Sequence, residues 1–231
     1  MTEFILASKS PRRKMLLRNL IDPFIVVNSE IVERKIPGES PDEFVLRLAK
    51  EKALKGGAEI SGSLLENAIV IGADTIVIDG EEILGKPLNE ADAVRVLNQL
   101  KGKTHQVLSG IALYNLSTDQ VQTRLVCSEV EMREYTEDEI RAYVASDDPL
   151  DKAGSYGIQN RDFNPTPEFN GCQANVMGLP LCHLAVLMSK MGIEGDQQVA
   201  ERCQKSIDYQ CPVYDEILAE MNGYSTESKL L

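Results

Sequence analysis

Apolar residues along the chain recur with two periods, and the switches between them divide it into strands and helices. Phe4-Ile-Leu reads as a short strand, after which Ser10 caps a helix with Pro11 at its first position and Leu16, Leu17 and Leu20 as its buried stripe. Phe24-Ile-Val-Val27 predicts a second strand, and residues 28–39 a polar connection. Ser40-Pro41-Asp42-Glu43 joins an N-cap, a first-position proline and a capping-box glutamate, opening a helix expected to end near Gly56-Gly57. Phe44, Val45, Leu48, Ala49 and Ala53 form its apolar face, and Lys52 falls at the centre of that face. Residues 68–78 are a long β-rich run broken by one acid, Asp74; a turn at Asp79-Gly80 brings back Glu82-Ile-Leu-Gly-Lys86. Asn89 opens a helix that turns Val94, Leu97 and Leu100 inward and closes at Gly102. Strands are predicted around 106–114 and 123–133, a capping box at Thr136-Glu-Asp-Glu139, and an apolar helix ending at Met191. Strands alternating with helices, interrupted by a hairpin, predict one α/β domain with a mixed sheet.

Charge alters this picture at one place. The 231-residue chain carries a formal net charge of −12, yet Lys9, Arg12, Arg13 and Lys14 crowd the start of the first helix. Basic side chains in a first turn oppose the helix dipole, so stability alone does not select them. The plain alternative is a capped helix with a solvated basic turn. Unpaired backbone N–H groups at that end, with Ser8 beside them, outline an anion site. An acidic chain disfavours binding to a nucleic-acid polymer, and one basic pocket in an acidic body suits a small polyanion. The five cysteines are odd in number and contain no C-x-x-C pair, which points to reduced thiols rather than a disulfide framework or zinc ribbon. No apolar run has membrane-spanning length and the N-terminus leaves no room for a signal peptide, so a cytoplasmic location is expected.

Two ionisable residues sit where the pattern expects apolar ones. An ammonium at the centre of an apolar stripe must snorkel or meet an anion, because leaving it buried and unpaired costs several kcal/mol. Snorkelling is the usual outcome for Lys52 taken alone. Aspartate is depleted in strand interiors, so Asp74 needs either a structural ion pair or a catalytic purpose. A three-residue hairpin loop would set Lys86 opposite Asp74 on the same face; a two-residue loop would set them diagonally on opposite faces. Gly80-Glu-Glu-Ile-Leu-Gly-Lys86 also mimics a phosphate-binding loop, but Pro87 stands where the metal-binding hydroxyl belongs. His183 and His105 form no metal spacing, and His183 reads as a packed residue.

Leu6-Ala-Ser-Lys-Ser-Pro-Arg-Arg13 with Leu16-Leu17, Arg47-Leu-Ala-Lys-Glu-Lys-Ala53, Gly72-Ala-Asp-Thr75, the run from Asp147 to Gln159, and Asn175-Val-Met-Gly-Leu-Pro180 together resemble the signature segments of the Maf family of nucleoside triphosphate pyrophosphatases. The resemblance covers residues 1–192 as one domain. It departs at Asn160, where a glycine is usual, and in the proline-rich run to Asn170. Residues 193–231 lie past the family's usual end, with eight acids against three bases and weak helical signals at 196–205 and 213–222. They read as an acidic C-terminal extension, disordered at its end and dispensable for catalysis.

The resemblance implies a mixed elongated sheet with flanking helices, two lobes around a central cleft, as in inosine-triphosphate pyrophosphatases. It implies hydrolysis of a nucleoside triphosphate between its α and β phosphates, in a nucleotide-pool housecleaning role. Asp74 would be the catalytic base, with Ser8, Arg12, Arg13, Lys52 and Lys86 on the triphosphate. A divalent cation, Mg²⁺ first and Mn²⁺ as the alternative, would be held by Glu33. Tyr156-Gly-Ile-Gln159, paired with Ser-Pro-Arg-Arg and Gly-Ala-Asp-Thr, resembles the subgroup acting on dTTP and UTP, with Arg12, Thr75 and Gln159 as specificity positions. Two other readings stay open: a nucleotide-binding regulator of septum formation with little turnover, and a pyrophosphatase for another nucleotide such as 7-methyl-GTP. A homodimer is compatible with all three.

Overall fold

The computed structural model describes residues 2–60 and 67–222. Its frame is a six-stranded mixed sheet built from β1 (Glu3–Leu6), β2 (Ile25–Val26), β3 (Ala68–Asp79), β4 (Glu82–Leu84), β5 (Thr104–Asn115) and β6 (Gln120–Glu131). The order is β2-β1-β3-β5-β6, with β4 paired to the distal half of β3. β1 runs parallel to β2 and β3, whereas β3, β5 and β6 form an antiparallel meander. The helices are α1 (Pro11–Leu17), α2 (Pro41–Ile60), α3 (Glu90–Leu100), α4 (Glu137–Val144), α5 (Gln173–Val176), α6 (Leu181–Lys190), α7 (Val199–Ile207) and α8 (Tyr214–Ala219). The mixed sheet with flanking helices is the architecture the alternating pattern predicts. No helix among the described residues is long and apolar enough to cross a membrane.

One feature of the sheet decides where function can sit. β1 pairs with β3 only as far as Ile71, and β4 begins its pairing at Val77. Between them, residues 72–76 of β3 bond to β5 on one side while their other edge has no strand beside it among the described residues. Such a gap leaves backbone and side chains reachable in the middle of an otherwise buried strand. Asp74 is at its centre.

The strand's alternation assigns each side chain to a face. Gly72, Asp74, Ile76 and Ile78 share the face covered by α2, where Ile76 and Ile78 pack with Phe44, Val45 and Leu48. On the other face, Ile69, Ile71 and Ala73 join α1 and α6 in one apolar cluster, while Val77 joins α3 and α4 in a second. These two clusters lie on either side of the sheet gap.

α2 runs past Gly56-Gly57 to Ile60 instead of stopping there. The two glycines serve contact rather than termination: a β-carbon would come within 2.7 Å of Ala7 at Gly56 and 2.6 Å of the Tyr114 ring at Gly57. The facing strands answer with glycines of their own. A β-carbon on Gly72 would sit 2.2 Å from the Ala49 carbonyl oxygen, and one on Gly110 2.5 Å from that of Val45. α2 therefore lies directly on the sheet backbone.

The caps are as expected. Ser40 Oγ accepts from the Glu43 N–H at 3.2 Å and Glu43 Oε2 accepts from the Ser40 N–H at 2.8 Å, and Thr136 with Glu139 repeats the arrangement. The acidic extension packs onto the body. α7 and α8 lie at the two weak helical signals, and Val199, Ala200, Cys203, Ile217 and Leu218 are buried in the cluster around α6. Arg124 on β6 donates to both carboxylate oxygens of Glu220, at 2.9 and 2.6 Å, which pins the end of the segment. The expected disorder at the chain's end falls outside the described residues.

Candidate active site

A cleft of about 830 Å³ opens at the sheet gap. Ser8, Arg12, Arg13, Glu33, Lys52, Asp74, Thr75, Lys86 and Gln159, the residues expected at the site, line it.

Asp74 and Lys52 form its centre. Lys52 does not snorkel: its Nζ donates to Asp74 Oδ1 at 2.5 Å and pairs with Glu33 Oε1 at 2.6 Å. Both Lys52 and Asp74 are buried, with side chains 11% and 9% exposed, whereas Glu33 reaches in from the 28–39 connection with more than half of its side chain in solvent. Burial raises the Asp74 pKa; the charges of Lys52 and Arg13 oppose that rise without cancelling it. A carboxylate pushed upward in a cleft and faced by cations has the profile of a general base.

Arg13 defines the other wall. Its Nε donates to the Gly178 carbonyl at 2.9 Å, Nη2 to Thr75 Oγ1 at 3.2 Å and Nη1 to Ser8 Oγ at 3.4 Å. Burial lowers its pKa, partly offset by Asp74. The donors then order themselves. Ser109 Oγ donates to the Asn175 carbonyl at 3.0 Å, so the 2.9 Å contact between the two hydroxyls has Thr75 donating to Ser109 and Thr75 accepting from Arg13. Thr75 thus spends its proton inside the protein. It orients Arg13 rather than facing a ligand as a free donor.

Ser8 Oγ accepts from the Ser10 N–H at 3.2 Å and from Arg13, which leaves its own proton for the cleft. The first helix cannot offer all its N–H groups to an anion, since Ser8 takes that of Ser10 and the Ser10 hydroxyl that of Arg13. Arg12 points to the opposite lip and donates to Asp151 Oδ2 at 2.9 Å.

The hairpin carrying Lys86 has the two-residue loop, with Asp79 opposite Glu82. Extending that register would pair Lys86 with Thr75, so the same-face approach to Asp74 does not occur. The strand ends at Leu84, however, and the chain leaves the ladder where the Gly154 N–H donates to the Gly85 carbonyl. Freed from the pleat, Lys86 still lines the cleft, and no ion pair holds it among the described residues.

The wall carrying Gln159 is built by residues the sequence reading did not single out. Lys152, buried, donates to Asp148 Oδ1 at 2.8 Å, to the Asp148 carbonyl at 2.5 Å and to Asp151 Oδ1 at 2.7 Å. Asp148 also accepts from Tyr143 at 2.6 Å and from Asn160 Nδ2 at 3.2 Å. Asn160, which replaces a glycine of the resembled pattern, is thus a brace between Asp148 and Phe163, whose N–H it accepts at 2.8 Å. Asn175 Nδ2 donates to the Val107 carbonyl and Ser128, locking the turn before Gly178. The sequence cue for Lys152 was its i−4 spacing to Asp148 beside Asp151.

Glu33 and Asp74 are two cleft carboxylates that could hold a cation, and the described residues hold no ready cage of three or more metal-ligating side chains. Two carboxylates supplemented by phosphate and water oxygens suit a hard, octahedral ion that arrives with a polyphosphate. His183 plays no such part. Burial and the Arg124 charge pull it down to about 3, so it is neutral.

A relative from Geobacter sulfurreducens called dTTP/UTP pyrophosphatase is 42% identical over 188 residues, covering 81% of this chain and 96% of its own length. A relative of the same name from Geobacter metallireducens is 42% identical over 83% of this chain and 97% of its own. A third so named, from Dictyoglomus thermophilum, is 43% identical over 82% of this chain and 96% of its own. The Maf-like protein family model matches residues 3–191, a span that includes every cleft residue described above, and the chain belongs to the Maf family.

Proposed function

We propose that this chain is a nucleoside triphosphate pyrophosphatase acting on dTTP and UTP, releasing the monophosphate and pyrophosphate. The observation that carries this reading is Asp74: a buried carboxylate at a strand gap, held by Lys52 and surrounded by the cationic groups of Arg12, Arg13 and Lys86. Polyphosphate repels a carboxylate, so a site built only to bind would not keep one there. The names of the relatives support the same substrate class.

Phosphoryl transfer mainly requires positioning and charge neutralisation. Arg13, Lys86 and the free Ser8 proton meet phosphate oxygens, and Arg12 exchanges its exposed partner Asp151 for the substrate. Lys52 favours the ionised form of Asp74 against its burial, and the Asp74 carboxylate takes the proton of the attacking water as the P–O–P bridge between α and β breaks. Glu33 and Asp74 would hold Mg²⁺, or Mn²⁺ in its place, which would supply charge neutralisation for the leaving pyrophosphate. The Gln159 amide can donate to a carbonyl and accept from a ring N–H, the pair that uracil and thymine present. Cytosine reverses that pair.

Pyrophosphate release across competing nucleotides tests the reading. dTTP and UTP should stand well above CTP, ATP and GTP. A preference for a guanine nucleotide such as 7-methyl-GTP would overturn the base assignment, and absence of pyrophosphate from every nucleotide would overturn the activity.

A further inference from the structure

Four of the five cysteines gather where the C-terminal extension meets the body, and they are not equivalent. Cys182 and Cys203 are sealed in the apolar cluster around α6, where burial pushes both thiols up to about 12. Cys127 stands alone and exposed on β6. Cys172 and Cys211 are a pair. Cys172 is buried immediately before α5, and Cys211 is half-buried between α7 and α8 with its Sγ 3.9 Å from the carbonyl of Gly171, the residue before Cys172.

The backbone holds this pair in register from both sides. Tyr209 Oη lies 3.1 Å from the Phe169 carbonyl and 3.0 Å from that of Gly171, and it accepts from the Gly171 N–H at 3.2 Å. The Tyr209 ring packs on Phe169 at 5.8 Å. On the other flank, Gln204 Oε1 accepts from the Cys211 N–H at 2.9 Å, and Cys211 Sγ lies 3.9 Å from the Gly171 carbonyl. The segment before Cys172 and the segment carrying Cys211 are thus clasped together, which sets the two cysteines beside one another.

We propose that Cys172 and Cys211 are a reversible disulfide site, oxidised by a hydroperoxide, that ties the C-terminal extension to the wall of the cleft. Geometry assigns the roles. Cys211, reached from solvent, is the attacking sulfur; Cys172, buried, is the resolving one. The neighbouring Cys172 thiol draws the Cys211 pKa down to about 7, while that of Cys172 is pushed up. The Cys211 thiolate breaks the peroxide O–O bond, gaining a hydroxyl as sulfenic acid and releasing hydroxide or alkoxide. Cys172 then loses its proton and attacks that sulfur; the S–S bond forms as the hydroxyl leaves as water. The two thiols give up two electrons, and the two peroxide oxygens take them.

The bond would bridge α7–α8 to the residue that starts the turn ending at Gly178, whose carbonyl holds Arg13. It lies outside the machinery assigned to phosphate chemistry and does not depend on that assignment.

Peptide mapping decides it. The full reduced chain is treated with hydrogen peroxide, alkylated in denaturant, digested and analysed by mass spectrometry, with and without dithiothreitol. The expected result is a dominant cross-linked pair containing Cys172 and Cys211, abolished by dithiothreitol, with Cys182 and Cys203 fully alkylated. In Cys172→Ser, Cys211 should instead be trapped as a sulfenic acid that dimedone captures. Oxidation confined to Cys127, a dominant pair involving Cys182 or Cys203, or Cys211 proceeding to sulfinic acid while Cys172 still alkylates would each overturn the proposal. The wild-type map suffices if the serine variant does not fold.

Discussion

Replacing Asp74 by Asn separates what this carboxylate does for the reaction from what it does to the fold. The change keeps the volume and removes the charge. Loss of a positioned general base lowers turnover by about 10²–10⁴-fold, equivalent to about 3–5 kcal/mol of barrier. Stability should move the other way. Asp74 carries a pKa raised by burial, so its ionised form opposes folding; each unit of such a rise corresponds to about 1.4 kcal/mol. Removing one partner from a buried pair ordinarily costs about 3–5 kcal/mol by stranding the other charge. Here Lys52 is not stranded, because Glu33 stays at 2.6 Å and the new amide oxygen can accept from Nζ. The sign with pH follows. Below about 3.9, the ordinary aspartate value, residue 74 is neutral in both proteins; as pH rises through the raised value of folded Asp74, wild type pays for ionisation and Asn does not. The variant should therefore gain on wild type between acid and neutral pH. Pyrophosphate release, nucleotide calorimetry and urea unfolding at several pH values measure the three quantities. Turnover within tenfold of wild type, or a variant that loses stability relative to wild type as pH rises, would refute the reasoning.

Three further changes probe the walls. Lys152→Met removes the donor to Asp148 and Asp151 and should cost about 1–3 kcal/mol, raising KM severalfold with kcat little altered as Arg12 loses its ordered partner; steady-state kinetics beside thermal unfolding reads this out. Gln159→Ala should narrow the ratio of kcat/KM between UTP and CTP while leaving pyrophosphate inhibition nearly unchanged, because only the base loses its hydrogen bonds. Truncation after Gly192 uncovers the α6 face that Val199, Ile217 and Leu218 bury, at about 1.5–3 kcal/mol for each such side chain, so the thermal midpoint should fall and any activity loss should track unfolding by circular dichroism.

The parts of the site legible in the sequence were those where a residue contradicts its own element. Lys52 on an apolar stripe and Asp74 inside a strand both announced themselves, and each is the other's partner. The basic first turn was legible for the same reason. What stayed hidden depends on two segments at once. The gap at residues 72–76 arises because β1 ends at its pairing with Ile71 and β4 starts at Val77, a fact about partner lengths rather than about β3. Whether Gly56 and Gly57 end a helix or admit a neighbour is settled by Ala7 and Tyr114. Lys152 was hidden because its partners are carboxylates that look solvated in sequence. The extension seemed peripheral because a face such as Val199, Ala200 and Cys203 is too short to be read as core without α6 in view.

The glycine seam under α2 sets a tolerance for the whole catalytic pair. Lys52 and Asp74 belong to two rigid bodies, a helix and a sheet, and the 2.5 Å between them is the small remainder left after those bodies meet. That meeting happens at Gly72 and Gly110, where even a methyl group collides with α2 backbone. Alanine at Gly110 touches no ligand and changes no charge, yet it would jack the helix off its bed and stretch the ammonium away from the carboxylate. A β-carbon at this seam would stand 2.2 Å (Gly72) or 2.5 Å (Gly110) from helix backbone, so the chemistry could be lost through a substitution one helical layer beneath the residues that perform it.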